Sequence, residues 1–341
     1  MNMMKIIFFL LLSFNLYGES FNDEFTISSD WNSADHPNIF FTQYESSLSN
    51  LKLKNKLEPE NIPWSDSYWP KYLGGVSYRW QDDILITKKD LLPLSKLKKM
   101  DQEELDRLSP AEKWDILNGD YRYKYTKSIF RANPHNSEKW KGICHGWAEA
   151  AIKHKQLNPK TLVNKDQISI HWGYSDLNAI LSQYYAYEAR GKVYILGKRC
   201  RRDKEFYACN GINPGALHII LTNSLEQKKS FVLDLSRGSE VWNHPVVGYE
   251  YKLGQKRNPS PQSGKNTVSE VYVELLLSYV SEGETSLVKT NSMVKRVTYS
   301  YWLELDKDGQ ITGGQWVSAK RPDFAWYRKY SPLPSKYDFL N

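Results

Sequence analysis

Apolar residues recur at helical spacing through the middle of the chain and alternate with polar ones towards its end, so the sequence predicts helices first and an antiparallel sheet afterwards. Ser109-Pro110-Ala111-Glu112 is a capping box with proline at the first helical position, and Asn118-Gly119 stops the short helix it opens. A second helix starts near Cys144, where Trp147, Ala148, Ala151 and Ile152 form one stripe. A third runs from a Ser175 cap to a Gly191 stop, with Leu177, Ile180, Leu181 and Tyr184 facing inward. Beyond about Gly197 the character changes. Leu217 to Thr222, Ser230 to Leu235, Val246 to Leu253, Val271 to Val280 and Val294 to Leu305 are rich in β-branched and aromatic residues and predict strands. Asp306 to Gly309 is a hairpin turn into Ile311 to Val317, and Gly254 to Thr267 is a long polar loop. The fold class is therefore α+β.

The ends and the aromatic residues modify this picture. Met1 to Lys5, the apolar run Ile6 to Tyr17 and the small residues after it have the order of a secretory signal peptide, expected to occupy residues 1–18. The run falls short of the roughly 20 apolar residues of a membrane span, so no span is expected in the mature chain. Phe21 to Leu57 shows little periodicity and reads as a surface arm; Pro63 to Trp80 crowds Trp64, Tyr68, Trp69, Tyr72, Tyr78 and Trp80 together as core or groove wall. Residues 19–100 thus form an N-terminal region and residues 101–341 the catalytic domain.

The formal charge of +7 and pI near 9.0 come from lysines scattered among acids, which argues for a solvated surface and against a nucleic-acid partner. Only Lys198, Arg199, Arg201 and Arg202 cluster, around Cys200, which reads first as a tight loop, with an anion site as the alternative. There are three cysteines. In an exported chain, Cys200 and Cys209 are readily bridged across the polar stretch between them, leaving Cys144 as a free thiol; pairing of Cys144 with either of the others is the alternative. No His or Cys spacing suggests a zinc site and no EF-hand loop is present in the sequence, so no metal is expected.

Cys144 is expected to open a helix, where unpaired N–H groups and the macrodipole favour a thiolate. A buried structural cysteine would look the same in this segment alone. A nucleophilic thiol needs a base and the base an orienting group. His218 interrupts one apolar strand-like run and Asp234 the next. In a hairpin centred on Glu226, each lies eight residues from the centre, so the two face one another within hydrogen-bond reach. The expected catalytic set is therefore Cys144, His218 and Asp234. His145 follows Cys144 directly and points away from it on a helix; His36, His135, His154, His171 and His244 have no evident partner.

The Cys, His, Asp order is that of the transglutaminase and papain-like superfamily. More closely, Ser109 to Asp115 (SPAEKWD), Trp140 to Ala148 (WKGICHGWA), Asn213 to Asn223 (NPGALHIILTN), Val241 to Val246 (VWNHPV) and Leu303 to Trp326 resemble the transglutaminase elicitor family, known from oomycete plant pathogens and some bacteria. The resemblance implies a papain-like core, with a helical half carrying the cysteine and an antiparallel sheet carrying the histidine and aspartate. It also implies acyl transfer from a protein-bound glutamine through a Cys144 thioester to a primary amine or a protein lysine, in a secreted or periplasmic protein. A papain-like peptidase, a glutamine deamidase and a binding protein that kept the fold but lost the chemistry are the alternatives. Papain-like peptidases take an oxyanion donor from a glutamine six residues before the cysteine; here that position is Glu138, which as a carboxylate has no proton to offer. Trp140 and the Cys144 backbone N–H are the candidate donors instead, with Trp242 and Asn243 lining the groove and Asn243 competing with Asp234 as orienting group. Trp316, Trp326 and the Trp64 to Trp80 segment could wall a dry approach. No cofactor is expected, and the sequence leaves calcium dependence open.

Overall fold

A computed structural model of the protein describes residues 31–200, 209, 211–329 and 332–340. The expected signal peptide, residues 1–18, lies outside the described residues, as do Arg201 and Arg202 of the basic cluster.

The helical half comprises the short helices α1 (Leu94–Leu97) and α2 (Gln102–Asp106), followed by α3 (Pro110–Leu117), α4 (Lys124–Ala132), α5 (Cys144–Lys153) and α6 (Tyr174–Tyr187). α3 starts as its sequence dictates. The Ser109 side chain accepts from the Glu112 N–H, and the Glu112 carboxylate accepts from the Ser109 N–H at 3.0 Å. Arg79 then binds Glu112 at 2.6 Å, which compensates a carboxylate that is almost fully buried. α5 and α6 approach so closely that a Cβ at Gly146 would lie 2.2 Å from the Ser182 carbonyl oxygen. α5 is gripped at both ends by Trp64: the Trp147 indole donates to the Trp64 carbonyl at 3.2 Å, and the Trp64 indole donates to the His154 carbonyl at 3.0 Å.

The strands are β1 (Lys54–Lys56), β2 (Lys160–Val163), β3 (Ser169–Trp172), β4 (Val193–Gly197), β5 (Val232–Asp234), β6 (Asn243–Arg257), β7 (Ser269–Val280), β8 (Val294–Leu305), β9 (Ile311–Trp316) and β10 (Phe324–Arg328). β2 and β3 form a hairpin of their own. The main sheet runs β4-β10-β5-β6-β7-β8-β9, each neighbour antiparallel. β7 shows the expected alternation, with Val271, Val273, Leu275 and Leu277 buried and Glu274 exposed. The predicted strands at 246–253, 271–280, 294–305 and 311–317 are all found, and the β8–β9 turn closes through the Gly309 N–H on the Asp306 carbonyl at 3.2 Å. β6 is longer than expected at both ends, and its register shifts between Val246 and Gly248, where the neighbour along one edge changes from β5 to β1.

One predicted strand is a helix. Leu217 to Thr222 lies within α7 (Pro214–Glu226), whose N-terminal N–H groups are capped by the Asn213 side chain at 2.9 Å on Gly215 and 3.4 Å on Ala216. Asn213-Pro214 is the same kind of start signal as Ser109-Pro110. The apolar run after it has no helical periodicity, and that uniformity has a physical cause: every residue from Pro214 to Leu225 is buried, and a helix enclosed on all sides has no polar face. The β-branched residues are accommodated, with Thr222 Oγ1 donating back to the His218 carbonyl at 2.8 Å.

The N-terminal segment, described from Trp31 onward, is built into both halves. β1 adds to β6, pairing Lys54–Lys56 with Gly248–Glu250, and the aromatic stretch brackets the start of α5.

Candidate active site

The turn into α5 is held from outside. The Ile143 N–H donates to the Tyr68 carbonyl at 2.8 Å and the Lys71 N–H to the Lys141 carbonyl at 2.8 Å. Only glycine fits at 142, because a Cβ there would meet the Tyr68 carbonyl oxygen at 2.4 Å. The aromatic segment therefore acts as a clamp that sets where Cys144 begins its helix, a role its composition did not disclose.

Cys144 is 5% exposed, and its sulfur lies against Val241 and Asn243. Sγ donates to the Val241 carbonyl at 3.5 Å and accepts from Asn243 Nδ2 at 3.6 Å. The Asn243 amide is locked in that orientation by Trp326, whose indole N–H donates to Asn243 Oδ1 at 2.7 Å. An indole can only donate, so the amide oxygen must face Trp326 and the NH2 must face sulfur. Asn243, expected to line the groove or to orient the imidazole, here meets the sulfur directly, and Trp326, expected only as a wall, fixes its amide. Replacing Trp326 by Phe is expected to leave Asn243 Oδ1 buried without its donor, costing about 1–3 kcal/mol of stability in denaturant unfolding.

Asp234 faces Asn243 across the β5–β6 pair. Its Oδ1 accepts the Trp242 N–H at 3.0 Å, and Oδ2 is buried without a hydrogen-bond partner among the described residues. A second buried carboxylate, Asp323, stands behind it: the Asp323 N–H donates to the Asp234 carbonyl at 3.2 Å, while Asp323 Oδ2 accepts from the Cys200 N–H at 2.9 Å and the Gly238 N–H at 3.3 Å. Cys200 and Cys209 form the expected disulfide, with sulfurs 2.02 Å apart, and Cys144 is free.

His218 does not face Asp234. The hairpin that was to oppose them does not form, because His218 lies on α7 and the strand neighbours of β5 are β6 and β10. The His218 ring packs 4.5 Å from Tyr251, its Nδ1 lies 2.8 Å from the Tyr301 hydroxyl, and burial lowers its pKa to about 3, so it is neutral. His244 sits next to Asn243 but turns to the Val280 carbonyl at 3.1 Å and packs against Trp147 and Tyr279. His145, held to about 4 chiefly by burial, packs edge-on to Tyr187. No imidazole hydrogen-bonds the Cys144 thiol among the described residues. Asp234 is the carboxylate whose charge acts on the thiol, and the thiol in turn acts on the Tyr68 and Tyr187 hydroxyls.

Electrostatics also depart from expectation. Burial pushes the Cys144 thiol up, opposed by the backbone and side-chain N–H groups of Asn243 and, more weakly, by the helix-start N–H of His145, and reinforced by the Asp234 charge. Desolvation thus outweighs the helix terminus. Burial likewise pushes Asp234 well above the usual carboxylate range, with Asp323 adding to the rise. Because only the thiolate alkylates, iodoacetamide modification of the resting protein is expected to accelerate about tenfold per pH unit from pH 7 through 9. A plateau reached below pH 8 would show a depressed thiol instead.

The flanking aromatics divide. The Trp242 ring meets Tyr68 edge-to-face at 5.3 Å and its indole donates to Glu240 at 3.2 Å. The Trp140 ring lies under Lys141 and Arg199, at 5.6 and 5.9 Å, with no hydrogen bond to the thiol. Trp316 belongs elsewhere, donating to the Ile212 carbonyl at 2.8 Å and packing on Tyr299 and Tyr301. Glu138 is an exposed residue paired with Lys141 at 3.0 Å. Among the described residues no cluster of three His, Cys, Asp or Glu side chains could hold a metal ion, and no helix is long and apolar enough to cross a membrane.

The family model described as transglutaminase elicitor matches residues 131–337, more than half the chain, and spans Cys144, Asp234, Asn243 and Trp326. The chain belongs to the transglutaminase elicitor family. The structure of this elicitor-family chain is similar to the crystal structure of the GP42 transglutaminase from Phytophthora sojae, with a TM-score of 0.62, 22% identity, and coverage of 89% of this chain and 94% of that one. At that identity the likeness shows the fold, a mixed helix and antiparallel-sheet arrangement of the transglutaminase elicitor type. No curated protein matches the sequence.

Proposed function

We propose that this chain is an exported protein-glutamine γ-glutamyltransferase that works through a Cys144 thioester. The observation that carries the reading is the Cys144–Asn243–Trp326 chain of contacts: a free thiol at a helix start, met by an amide donor that is itself locked in place. Family membership supports acyl transfer as the chemistry of that thiol.

In this reading Asp234 replaces His218 as the proton carrier, because its charge reaches the thiol and burial raises its affinity for a proton. The Asp234 carboxylate takes the Cys144 proton as sulfur attacks the glutamine carboxamide carbon. The oxyanion forms near the Cys144 backbone N–H, unpaired at the helix start, and Asn243 Nδ2 holds the sulfur. Collapse breaks the C–N bond, and the nitrogen leaves as ammonia with the proton from Asp234. A primary amine then attacks the thioester, an isopeptide bond forms, and the amine proton returns through Asp234 to sulfur. Half-exposed Trp242, packed on Tyr68, gives the approach an aromatic wall that favours amine over water. His218, neutral and enclosed by Tyr251 and Tyr301, serves the core.

Incubating the mature protein with a glutamine-bearing protein and a labelled primary amine is expected to give incorporation with one ammonia released per amine bound. Ammonia without incorporation would identify a deamidase, and peptide-bond cleavage a peptidase; either outcome overturns the proposal. Export is supported by the signal-like N-terminus and the disulfide.

A further inference from the structure

The C-terminal half of α5, β5 and β10 border an open cavity of about 370 Å³, near the lower end of the roughly 300–1,000 Å³ common for small-molecule sites. Its α5 lining, Glu149, Ile152 and Lys153, lies five to nine residues past Cys144, about 7–14 Å along the helix axis. An occupant therefore acts on the site from behind and does not meet the thiol. Phe40, Phe41, Phe231 and Trp326 supply apolar walls. The charge is one-sided: Lys153, Lys228, Lys229 and Arg328 line it against the single carboxylate of Glu149, and Arg328 Nε already lies 3.0 Å from both Glu149 oxygens. Lys228 and Lys229 stand exposed at the α7 end, and among the described residues the Lys229 ammonium bonds a neutral acceptor, Gln227, at 2.9 Å.

Apolar walls with a cationic rim complement a small amphiphile that carries one carboxylate. The cavity also shares its key wall with the catalytic machinery. Trp326, which borders it, donates its indole N–H to Asn243 Oδ1, and Asn243 faces the Cys144 sulfur. We propose that this cavity binds an amphiphilic carboxylate, head group at Lys228 and Lys229 and apolar tail against the rings, and that the bound molecule braces Trp326 and so tightens the Asn243 contact to Cys144. The site is an effector site, distinct from the acyl-transfer groove, and it does not depend on the acyl-transfer reading.

The test uses the whole mature chain and decanoate kept below its micellar concentration. Titration followed by calorimetry is expected to show saturable one-to-one binding, absent for decylamine, and weakened at least tenfold in the Lys228→Glu, Lys229→Glu double variant, whose two changes fall on exposed side chains. At saturation, iodoacetamide alkylation of Cys144 at pH 8 is expected to rise at least threefold in the native sequence and to stay unchanged in the double variant at the same decanoate concentration. No saturable binding, equal binding of decylamine, or saturable binding without a change in alkylation overturns the proposal. Because alkylation reads the thiol alone, this result stands apart from the outcome of the amine-incorporation assay.

Discussion

Cys144→Ala is expected to reduce amine incorporation by at least about 10⁴-fold, the order of loss seen when a covalent nucleophile is deleted, while the protein still folds. The two effects separate cleanly here because the thiol contributes little to the fold. Its contacts to Val241 and Asn243, at 3.5 and 3.6 Å, are long and made by a weak donor and weak acceptor. Alanine fits the helix start, so the stability change should stay within about 1 kcal/mol. Unfolding midpoint and amine incorporation measured on the same preparation check both halves. Incorporation retained within tenfold of the native level would remove Cys144 as nucleophile. Asp234→Asn is a sharper companion. It keeps the acceptor for the Trp242 N–H but has no exchangeable acid proton at neutral pH, so incorporation should fall while the unfolding midpoint holds.

A large stability loss is expected at Gly146. A Cβ there would sit 2.2 Å from the Ser182 carbonyl oxygen and 2.8 Å from the Ala186 nitrogen, both backbone atoms of α6 that cannot swing aside. Gly146→Ala must drive α5 and α6 apart, and overpacking of this kind typically costs about 1–3 kcal/mol, with this contact at the upper end. Alanine's better helix propensity returns only about 1 kcal/mol. The same shift moves the first turn of α5, so amine incorporation should fall with stability, unlike in Cys144→Ala. Denaturant unfolding of Gly146→Ala at or above the native midpoint would contradict the packing argument.

Much of this architecture was legible because local signals and global fold agree. The Ser109 capping box, the helix starting at Cys144, the alternation in β7 and the Asp306–Gly309 turn each state their structure within a few residues. The disulfide and the free thiol followed from cysteine spacing and compartment. What failed was the step that joined separate segments. His218 and Asp234 were paired by assuming that an apolar run is a strand, yet a fully enclosed helix and a fully enclosed strand present the same uninterrupted hydrophobicity, and only Asn213-Pro214 distinguished them. Correcting that one element removes the imidazole from the site and leaves Asp234 and Asn243 facing each other across β5 and β6. The roles of Tyr68, Gly142 and Trp326 were invisible for a related reason: each acts through a partner between 74 and 83 residues away in the chain, and no local pattern reports it.

β10, which carries Trp326 and lies between β4 and β5, is among the last elements of the chain. Until Phe324–Arg328 has been synthesised, the sheet has a gap at that place and Asn243 has nothing to hold its amide toward sulfur. Its pairing with β4 joins residues 193–197 to residues 324–328, a contact that forms slowly because a long loop must close first. A nascent or C-terminally clipped chain therefore carries the Cys144 thiol without the indole that fixes the Asn243 amide against it.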